Sequence, residues 1–275
     1  MRDPMHTSSG GERREGVPHE VNAPVHAVGL PDWSDGGWMQ GHIGIVACSA
    51  EGAALCYRAI CTEAPALLGA HAHPQVSLHG HSLADYVRCL EHADWAGVAE
   101  LMLDSAHRLA KAGAQFLICP DNTIHQALPR LLERSPLPWL HIAAVVAEHA
   151  AERGMRRLGL TGTRWLVDSE VYPQQLGARG LEYVRPEPAE RDTMNRIIME
   201  ELVCGVFKPE ATAAFQAVMR GLKARGCDGV VLGCTEIPLI ISDANAPLPT
   251  LDSTRLLARA AVRRALHSRA VAVEP

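Results

Sequence analysis

The chain has 275 residues, of which 47% are hydrophobic and 21% are charged, and this length is enough for two ordinary domains with a substantial core. Its formal net charge of −5 and its lack of a Lys/Arg-rich run argue against a nucleic-acid partner or a membrane-surface protein. No apolar stretch reaches the roughly 18–20 residues that would span a bilayer.

The first part of the chain, residues 1–41, is predicted to be a disordered tail. This segment is rich in Gly, Pro, His and charge, and it has neither helical nor strand periodicity. It lacks a basic region followed by an apolar core, so it does not read as a secretory signal. The alternative is a non-native start sequence upstream of Met39.

After the tail, short apolar runs alternate with helical patterns. Strands are predicted at 42–47, 75–82, 115–119, 137–142, 157–163, 181–186 and 229–234. Helices are predicted at 94–114, 142–153, 168–179, 189–204, 209–225 and from 253 to about 268. This alternation is typical of βαβ units and predicts an α/β fold with a mostly parallel sheet.

Two stretches of the chain look alike. GAQFLICPDNTIH at 113–125 aligns with GCDGVVLGCTEIP at 226–238 at an offset of 226 − 113 = 113. HIGIVA around Gly44 matches RLGLTG around Gly159 at an offset of 159 − 44 = 115. A glycine, a buried strand and a polar turn recur together, so the pattern indicates an internal duplication.

The duplication predicts two similar parallel-sheet α/β domains related by a pseudo-two-fold axis. The first would comprise 42–141 plus 250–275, and the second would comprise 142–249. Ligands of parallel α/β sheets bind at the carboxyl ends of the strands, so the active site is expected in the cleft between the domains.

Asp121 and Cys234 occupy the same position in the two repeats, at the end of a buried strand. Asn122, Thr123 and Thr235 follow them and are suited to cap the next helices and to bind a carboxylate. If both turns face one cleft, an oxygen acid and a sulfur acid lie on opposite sides of a substrate carbon. Removing a proton from one face and returning one to the other is what stereochemical inversion requires.

Four segments carry a family resemblance, namely GCTEIPLI, LTGTRWLVDSEVY, NRIIMEELVCG and CPDNTIH. Together they resemble the aspartate/glutamate racemase family, and especially its broad-specificity amino acid racemases, over residues 42–267. The resemblance implies an isomerase that needs no cofactor and no metal, acts on an amino acid or small carboxylate, and forms a homodimer.

One position departs from the family pattern, which has a cysteine before "NT" in the first half and a second cysteine in "GCTE". Cys234 matches, whereas Asp121 replaces the first cysteine, and decarboxylase relatives have Gly there. We expect burial to raise the pKa of Asp121 and a helix N-terminus to lower that of Cys234, which would bring the two values closer. Two alternatives stay open: Asp121 only caps a helix, or Cys119 is the reactive group.

Further residues are predicted to bind substrate. Ser49 follows the first strand and can donate a hydrogen bond, and Thr163 with Arg164 forms the equivalent loop of the second half. The resemblance adds Glu51 and the Glu236 of the GCTE motif. The histidines of HAHPQVSLHGH lack acidic or Cys partners at metal-binding spacing, so His81 is predicted to line the pocket rather than to bind metal.

The sequence therefore predicts an amino acid racemase or epimerase that works by two-base proton transfer at Cα and needs no pyridoxal phosphate. The first alternative is a one-thiol decarboxylase or cis–trans isomerase of a small dicarboxylate, and the second is a non-catalytic sensor of small acids. Eight scattered cysteines without a CxxC pair indicate free thiols and a cytoplasmic protein.

Overall fold

The computed structural model describes residues 41–267, and all of them fall within one compact unit of the chain. The predicted tail lies outside the described residues except for Gly41, whose N–H donates to the carbonyl oxygen of Ala265 over 2.9 Å. In residues 41–267, none of the helices combines the length and the apolar character needed to cross a membrane.

Strands and helices alternate along the described chain. The strands are β1 (Ile43–Ala47), β2 (Val76–Gly80), β3 (Phe116–Ile118), β4 (Trp139–Leu140), β5 (Arg157–Thr161), β6 (Glu182–Val184), β7 (Gly229–Leu232) and β8 (Thr250–Asp252). The helices are α1 (Ala50–Glu63), α2 (Pro65–Leu68), α3 (Leu83–Glu91), α4 (Trp95–Lys111), α5 (Leu128–Leu131), α6 (Ile142–Glu152), α7 (Arg164–Val167), α8 (Val171–Gly177), α9 (Pro188–Glu200), α10 (Pro209–Ala224) and α11 (Ser253–His267). Short 3-10 turns lie at Thr123–Ala127, Leu132–Arg134, Leu202–Cys204 and Ile237–Leu239.

The strands form two four-stranded sheets with the same strand order. The first has the order β2-β1-β3-β4 and the second β6-β5-β7-β8, and every pairing is parallel. Gly44 pairs with Leu117 in the first sheet and Gly159 with Val230 in the second, so the register repeats as well. The predicted fold class, two similar parallel-sheet α/β halves, is confirmed.

Each predicted strand contains an observed one, but β8 and helices α1 and α3 were not predicted. Helix α1 buries small side chains such as Ala53, Cys56 and Ala59, which give a weak hydrophobic pattern. Its start is nevertheless well defined, because the Ser49 hydroxyl accepts a hydrogen bond from the N–H of Gly52 over 3.2 Å. The helix predicted at 168–179 corresponds to α8, and the short helices α2, α5 and α7 were not predicted either.

The two halves share one apolar core. Helix α11 packs against α1 and α6, and α6 packs against α8. The core includes Ile45 of the first sheet, Val231 of the second and Leu257 of α11, all of them fully buried. Strand β8 pairs with β7 in the second sheet, whereas residues 250–252 were predicted in the first domain. The domain boundaries themselves stay a prediction.

Equivalent glycines let a helix pack closely on the central strand of each sheet. A Cβ at Gly44 would lie 3.3 Å from Cβ of Leu109 in α4, and one at Gly159 would lie 2.6 Å from Cδ1 of Leu222 in α10. The two leucines are separated by 222 − 109 = 113 residues, which is the offset of the repeat. The duplication therefore includes how the helices pack on the strands.

We expect Gly159→Ala to lower the free energy of unfolding by about 1–3 kcal/mol, because the added methyl overpacks against Leu222. The control Gly177→Ala lies at the end of α8 with no atom within 4 Å of the new Cβ, so it should be neutral or stabilising by up to about 1 kcal/mol. Urea denaturation measures both. In a Leu222→Ala background the cost of Gly159→Ala should shrink; an unchanged cost would contradict the packing argument.

Candidate functional site

A cavity of about 90 Å³ lies where the carboxyl ends of the two sheets meet. The segments that follow β1, β3, β5 and β7 supply its polar lining, here called the base, and Trp165 of α7 adjoins them. Helices α3 and α9 and the turn after α9 supply the rest of the lining. The cavity is lined by Cys48, Ser49, Leu83, Val87, Leu90, Asp121, Asn122, Thr123, Thr163, Trp165, Ile198, Met199, Val203, Gly233, Cys234, Thr235 and Glu236.

Asp121 reaches this cavity from the end of β3. Its Oδ1 accepts a hydrogen bond from the N–H of Ile124 over 3.1 Å, so the side chain also caps the 3-10 turn that follows. The ring of His125 also stabilises this turn. Its Nδ1 lies 2.6 Å from the carbonyl oxygen of Asp121, and its Nε2 accepts a hydrogen bond from the N–H of Ile142. Burial, with a contribution from the charge of Glu236, raises the pKa of Asp121.

Cys234 faces the same cavity from the end of β7. Its thiol donates a hydrogen bond to Oε2 of Glu236 over 2.9 Å, and the hydroxyl of Thr235 donates to the same oxygen over 2.8 Å. Burial first, and then the negative charge of Glu236, raises the pKa of the Cys234 thiol well above its usual value. The resting side chain is therefore a thiol held by a carboxylate.

The raised pKa of Cys234 is opposite to the sequence expectation. A lowered value was expected from a helix N-terminus, but the segment after Cys234 is the three-residue 3-10 turn Ile237–Leu239, which is too short to build a helix dipole. The adjacent Glu236 carboxylate then opposes formation of a thiolate. The expected rise in the pKa of Asp121 does occur.

Cys48 is a site residue that the sequence analysis missed. It follows β1 directly and lines the cavity beside Asp121, where its thiol lowers the pKa of the Asp121 carboxyl group against the effect of burial. Its position at the end of β1, beside the end of β3, is the signal that could have identified it. The rival thiol Cys119 is fully buried in the core beneath the first sheet and does not line the cavity.

A buried hydrogen-bond chain joins the two halves beneath the cavity. The hydroxyl of Tyr172 donates to Oδ1 of Asn122 over 2.7 Å, and Nδ2 of Asn122 donates to the hydroxyl of Ser253 over 3.0 Å. Ser253 in turn donates to the carbonyl oxygen of Leu232, at the end of β7, over 2.9 Å. The Asn122 amide therefore anchors the end of β3 to the second sheet.

Two further contacts cross between the halves. The hydroxyls of Thr123 and Thr163 lie 3.2 Å apart, and the amide of Gln126 donates to the carbonyl oxygens of both Thr123 and Trp165. The two threonines are the buried hydroxyls that the sequence predicted at the site. They lie side by side at the base of the cavity, so one ligand can contact both.

Of the residues predicted to bind substrate, Ser49, Asn122, Thr123, Thr163, Thr235 and Glu236 line the cavity. Glu51, His81 and Arg164 do not. Glu51 is exposed on α1, His81 contacts Asp104 of α4 over 2.9 Å, and the guanidinium of Arg164 lies over the Trp165 ring at 5.4 Å. Within residues 41–267, no cluster of His, Cys, Asp and Glu is arranged to hold a metal ion.

A family model described as Asp/Glu/Hydantoin racemase matches residues 43–261. Among solved structures, an Asp/Glu racemase assigned in Yersinia pestis is 31% identical with a TM-score of 0.76, covering 82% of this chain and 99% of that one. An aspartate racemase homologue from Pyrococcus horikoshii OT3 is 26% identical with a TM-score of 0.72 and the same coverage of both chains. The broad specificity amino-acid racemase RacX of Bacillus subtilis (strain 168) is 22% identical over 164 residues, which are 58% of this chain and 69% of RacX.

We expect Asp121→Asn to stabilise the protein at neutral pH. The folded state holds the Asp121 proton to a higher pH than the unfolded chain, so the stability of the native protein falls as pH rises from about 3.8 through the raised pKa. Asn cannot titrate and can still accept from Ile124, so it avoids that loss. Thermal unfolding at a series of pH values measures the difference, which should vanish in acid and level off above the raised pKa.

The matched control is Asp94→Asn, the same substitution at the exposed N-cap of α4, where Asp94 accepts from the N–H of Gly97. It should change the stability by less than about 0.5 kcal/mol at any pH, because Asp and Asn are similar caps. A loss of stability at neutral pH in Asp121→Asn would show that the Asp121 carboxylate is stabilised by the folded protein.

We expect Tyr172→Phe to lower the free energy of unfolding by about 1–3 kcal/mol, because it leaves Oδ1 of the buried Asn122 without its donor. Tyr57→Phe is the control: Tyr57 is exposed, and its change should stay within about 0.5 kcal/mol. Chemical denaturation compares them, and equal small effects would show that the chain beneath the cavity does not stabilise the fold.

Proposed function

Because this chain belongs to the Asp/Glu/hydantoin racemase family, we propose that it is an amino acid racemase or epimerase that works without pyridoxal phosphate. Asp121 and Cys234 would be the two proton-transfer groups. The observation that carries the proposal is that these two side chains enter one small cavity from equivalent strand ends of the two sheets. A substrate carbon held between them has an acid–base group on each face.

In one direction, the Asp121 carboxylate takes the α-proton and the electron pair of the broken C–H bond delocalises into the substrate carboxylate. The Cys234 thiol then delivers its proton to the opposite face of Cα, which leaves a thiolate and a protonated Asp121. In the reverse direction each group takes the other role. No electrons leave the substrate, so the step requires no redox partner.

The neighbours of the two groups suit these roles. Glu236 accepts the hydrogen bond of the Cys234 thiol and so fixes the sulfur, and it can take the thiol proton when a thiolate is needed. Cys48 lines the cavity beside Asp121, and its thiol favours the Asp121 carboxylate by lowering the pKa of that group. We propose Glu236 and Cys48 as positioning residues, and Ser49, Thr123, Thr163 and Thr235 as hydrogen-bond donors to the substrate carboxylate.

The charge of an amino acid substrate also suits the cavity. The raised pKa of Asp121 narrows the difference between the pKa values of Asp121 and Cys234, whereas the raised pKa of Cys234 widens it. The substrate ammonium would supply a positive charge beside Asp121 and Glu236, and a nearby cation favours both the carboxylate and the thiolate. Substrate binding would therefore prepare both groups.

Two further properties belong to the proposal. The eight cysteines are all free, which supports a reducing compartment such as the cytoplasm. We also propose a homodimer, as the resemblance to the racemases implies, and sedimentation of the full chain tests it.

The test is deuterium incorporation at Cα in heavy water, measured by NMR for each enantiomer separately. Racemisation should fall by roughly 100- to 10,000-fold in both Asp121→Asn and Cys234→Ala. Because each variant keeps one base, the two should still exchange the α-proton of opposite enantiomers. Cys61→Ala, a half-buried thiol on α1 outside the cavity, is the matched control and should keep full activity.

The outcomes separate the proposal from its alternatives. A one-thiol decarboxylase or cis–trans isomerase would lose its reaction in Cys234→Ala and keep it in Asp121→Asn. Asp121→Cys separates the two enzyme classes further. It should preserve or increase the activity of a racemase, but it should not increase the activity of a one-thiol enzyme. The racemase proposal would be wrong if no amino acid exchanged its α-proton at saturating enzyme. If amino acids then still bound, and Cys234→Ala left their binding unchanged, a non-catalytic sensor would be favoured.

A further inference from the structure

The part of the cavity lining that comes from helices is apolar. Helix α3 contributes three side chains at i, i+4 and i+7, which share one face of the helix. Helix α9 and the 3-10 turn after it contribute three more from the second half. These six residues form the roof of the cavity: Leu83, Val87, Leu90, Ile198, Met199 and Val203.

No described residue that lines the cavity is Lys, Arg or His. The basic residues next to the lining in sequence have partners of their own: Arg88 pairs with Asp85, and His81 contacts Asp104. The guanidinium of Arg164 lies over the ring of Trp165, which lines the cavity, but Arg164 itself does not line it. The ionisable carboxyl groups of the lining are Asp121 and Glu236, and both belong to the base. The roof therefore offers no partner for a charged group, and the carboxyl groups in the base are both acids, beside neutral hydroxyls and the Asn122 amide.

We propose that the substrate of this site is an amino acid with an uncharged, apolar side chain, such as valine, leucine or methionine. This inference rests on the racemase function proposed above. The α-carboxylate and the ammonium would bind at the polar base, and the side chain would pack against the roof formed by α3 and by α9 with its following turn.

Burial and charge both favour this class of substrate. A second carboxylate, as in aspartate or glutamate, would lose its hydration against the roof without gaining a cation, which is costly. An aliphatic side chain instead leaves water for an apolar surface, which is favourable. A cavity of about 90 Å³ also has room for roughly six to nine water molecules at about 10–15 Å³ each, which suits a small substrate.

The first experiment compares deuterium incorporation for both enantiomers of valine, leucine, methionine, aspartate, glutamate and lysine. We expect kcat/KM for the best apolar amino acid to exceed that for aspartate and glutamate by at least about 100-fold. A preference for aspartate, glutamate or lysine would overturn the inference while leaving the racemase proposal intact.

The second experiment places a cation in the roof. Val203 is 42% exposed and lines the cavity, whereas Val206 is 40% exposed, three residues further on, and does not. Val203→Arg should lower kcat/KM for apolar substrates at least about 10-fold and raise that for aspartate, and Val206→Arg should change neither by more than about twofold. Leu83→Arg repeats the test from α3, in case Val203→Arg does not fold.

A binding measurement keeps the inference testable without turnover. Calorimetry with 4-methylpentanoate and with succinate should show tighter binding of 4-methylpentanoate to the native protein, and Val203→Arg should reverse the order. If no amino acid exchanges its α-proton but 4-methylpentanoate still binds more tightly than succinate, the racemase proposal fails and the inference that the roof selects apolar ligands is supported. If succinate binds more tightly to the native protein, the roof does not select apolar ligands.

Discussion

The site depends on a buried chain of hydrogen bonds that runs from Tyr172 through Asn122 and Ser253 to the carbonyl oxygen of Leu232. Every bond in it has a definite direction, because a tyrosine hydroxyl donating to the Asn122 oxygen leaves the amide nitrogen to donate to Ser253. Asn122 directly follows Asp121, and Leu232 precedes Cys234 by two residues. The chain therefore fixes the distance between the ends of β3 and β7, and with it the separation of Asp121 and Cys234.

The second property of the site is that acids are buried there without a cation. Asp121 and Cys234 both have raised pKa values, from burial first and from Glu236 next, so the ligand-free protein bears the cost of holding acidic groups close together. A positive charge in the cavity would offset this cost. An ammonium group would supply it at the base, whereas an extra carboxylate would increase the repulsion, which agrees with the proposed preference for amino acids with apolar side chains.

Much of the fold could be predicted from the sequence because the same short strand and turn patterns occur in both halves of the chain. Buried strands and their glycines recur at a nearly constant offset, and the two sheets follow with the same strand order. Helix α1 was missed because its buried face is made of small residues, and β8 because Leu251 is its one buried residue, which makes no apolar run. At the site, Asp121 and Cys234 could be located from their strand ends, but the effect of Glu236 on the Cys234 thiol depends on side-chain direction, which spacing alone does not determine.

The repeat also explains why a carboxylate aligns with a thiol at positions 121 and 234. In the second half, Cys234 and its carboxylate partner Glu236 both follow β7. In the first half the carboxylate, Asp121, follows β3, and its thiol partner Cys48 comes from the neighbouring strand β1. Each half thus places a thiol near a carboxylate, supplied by one strand end in one case and by two in the other. The sequence alignment sets the carboxylate of one half against the thiol of the other, so the fold stays symmetric although the residues at the equivalent strand ends differ.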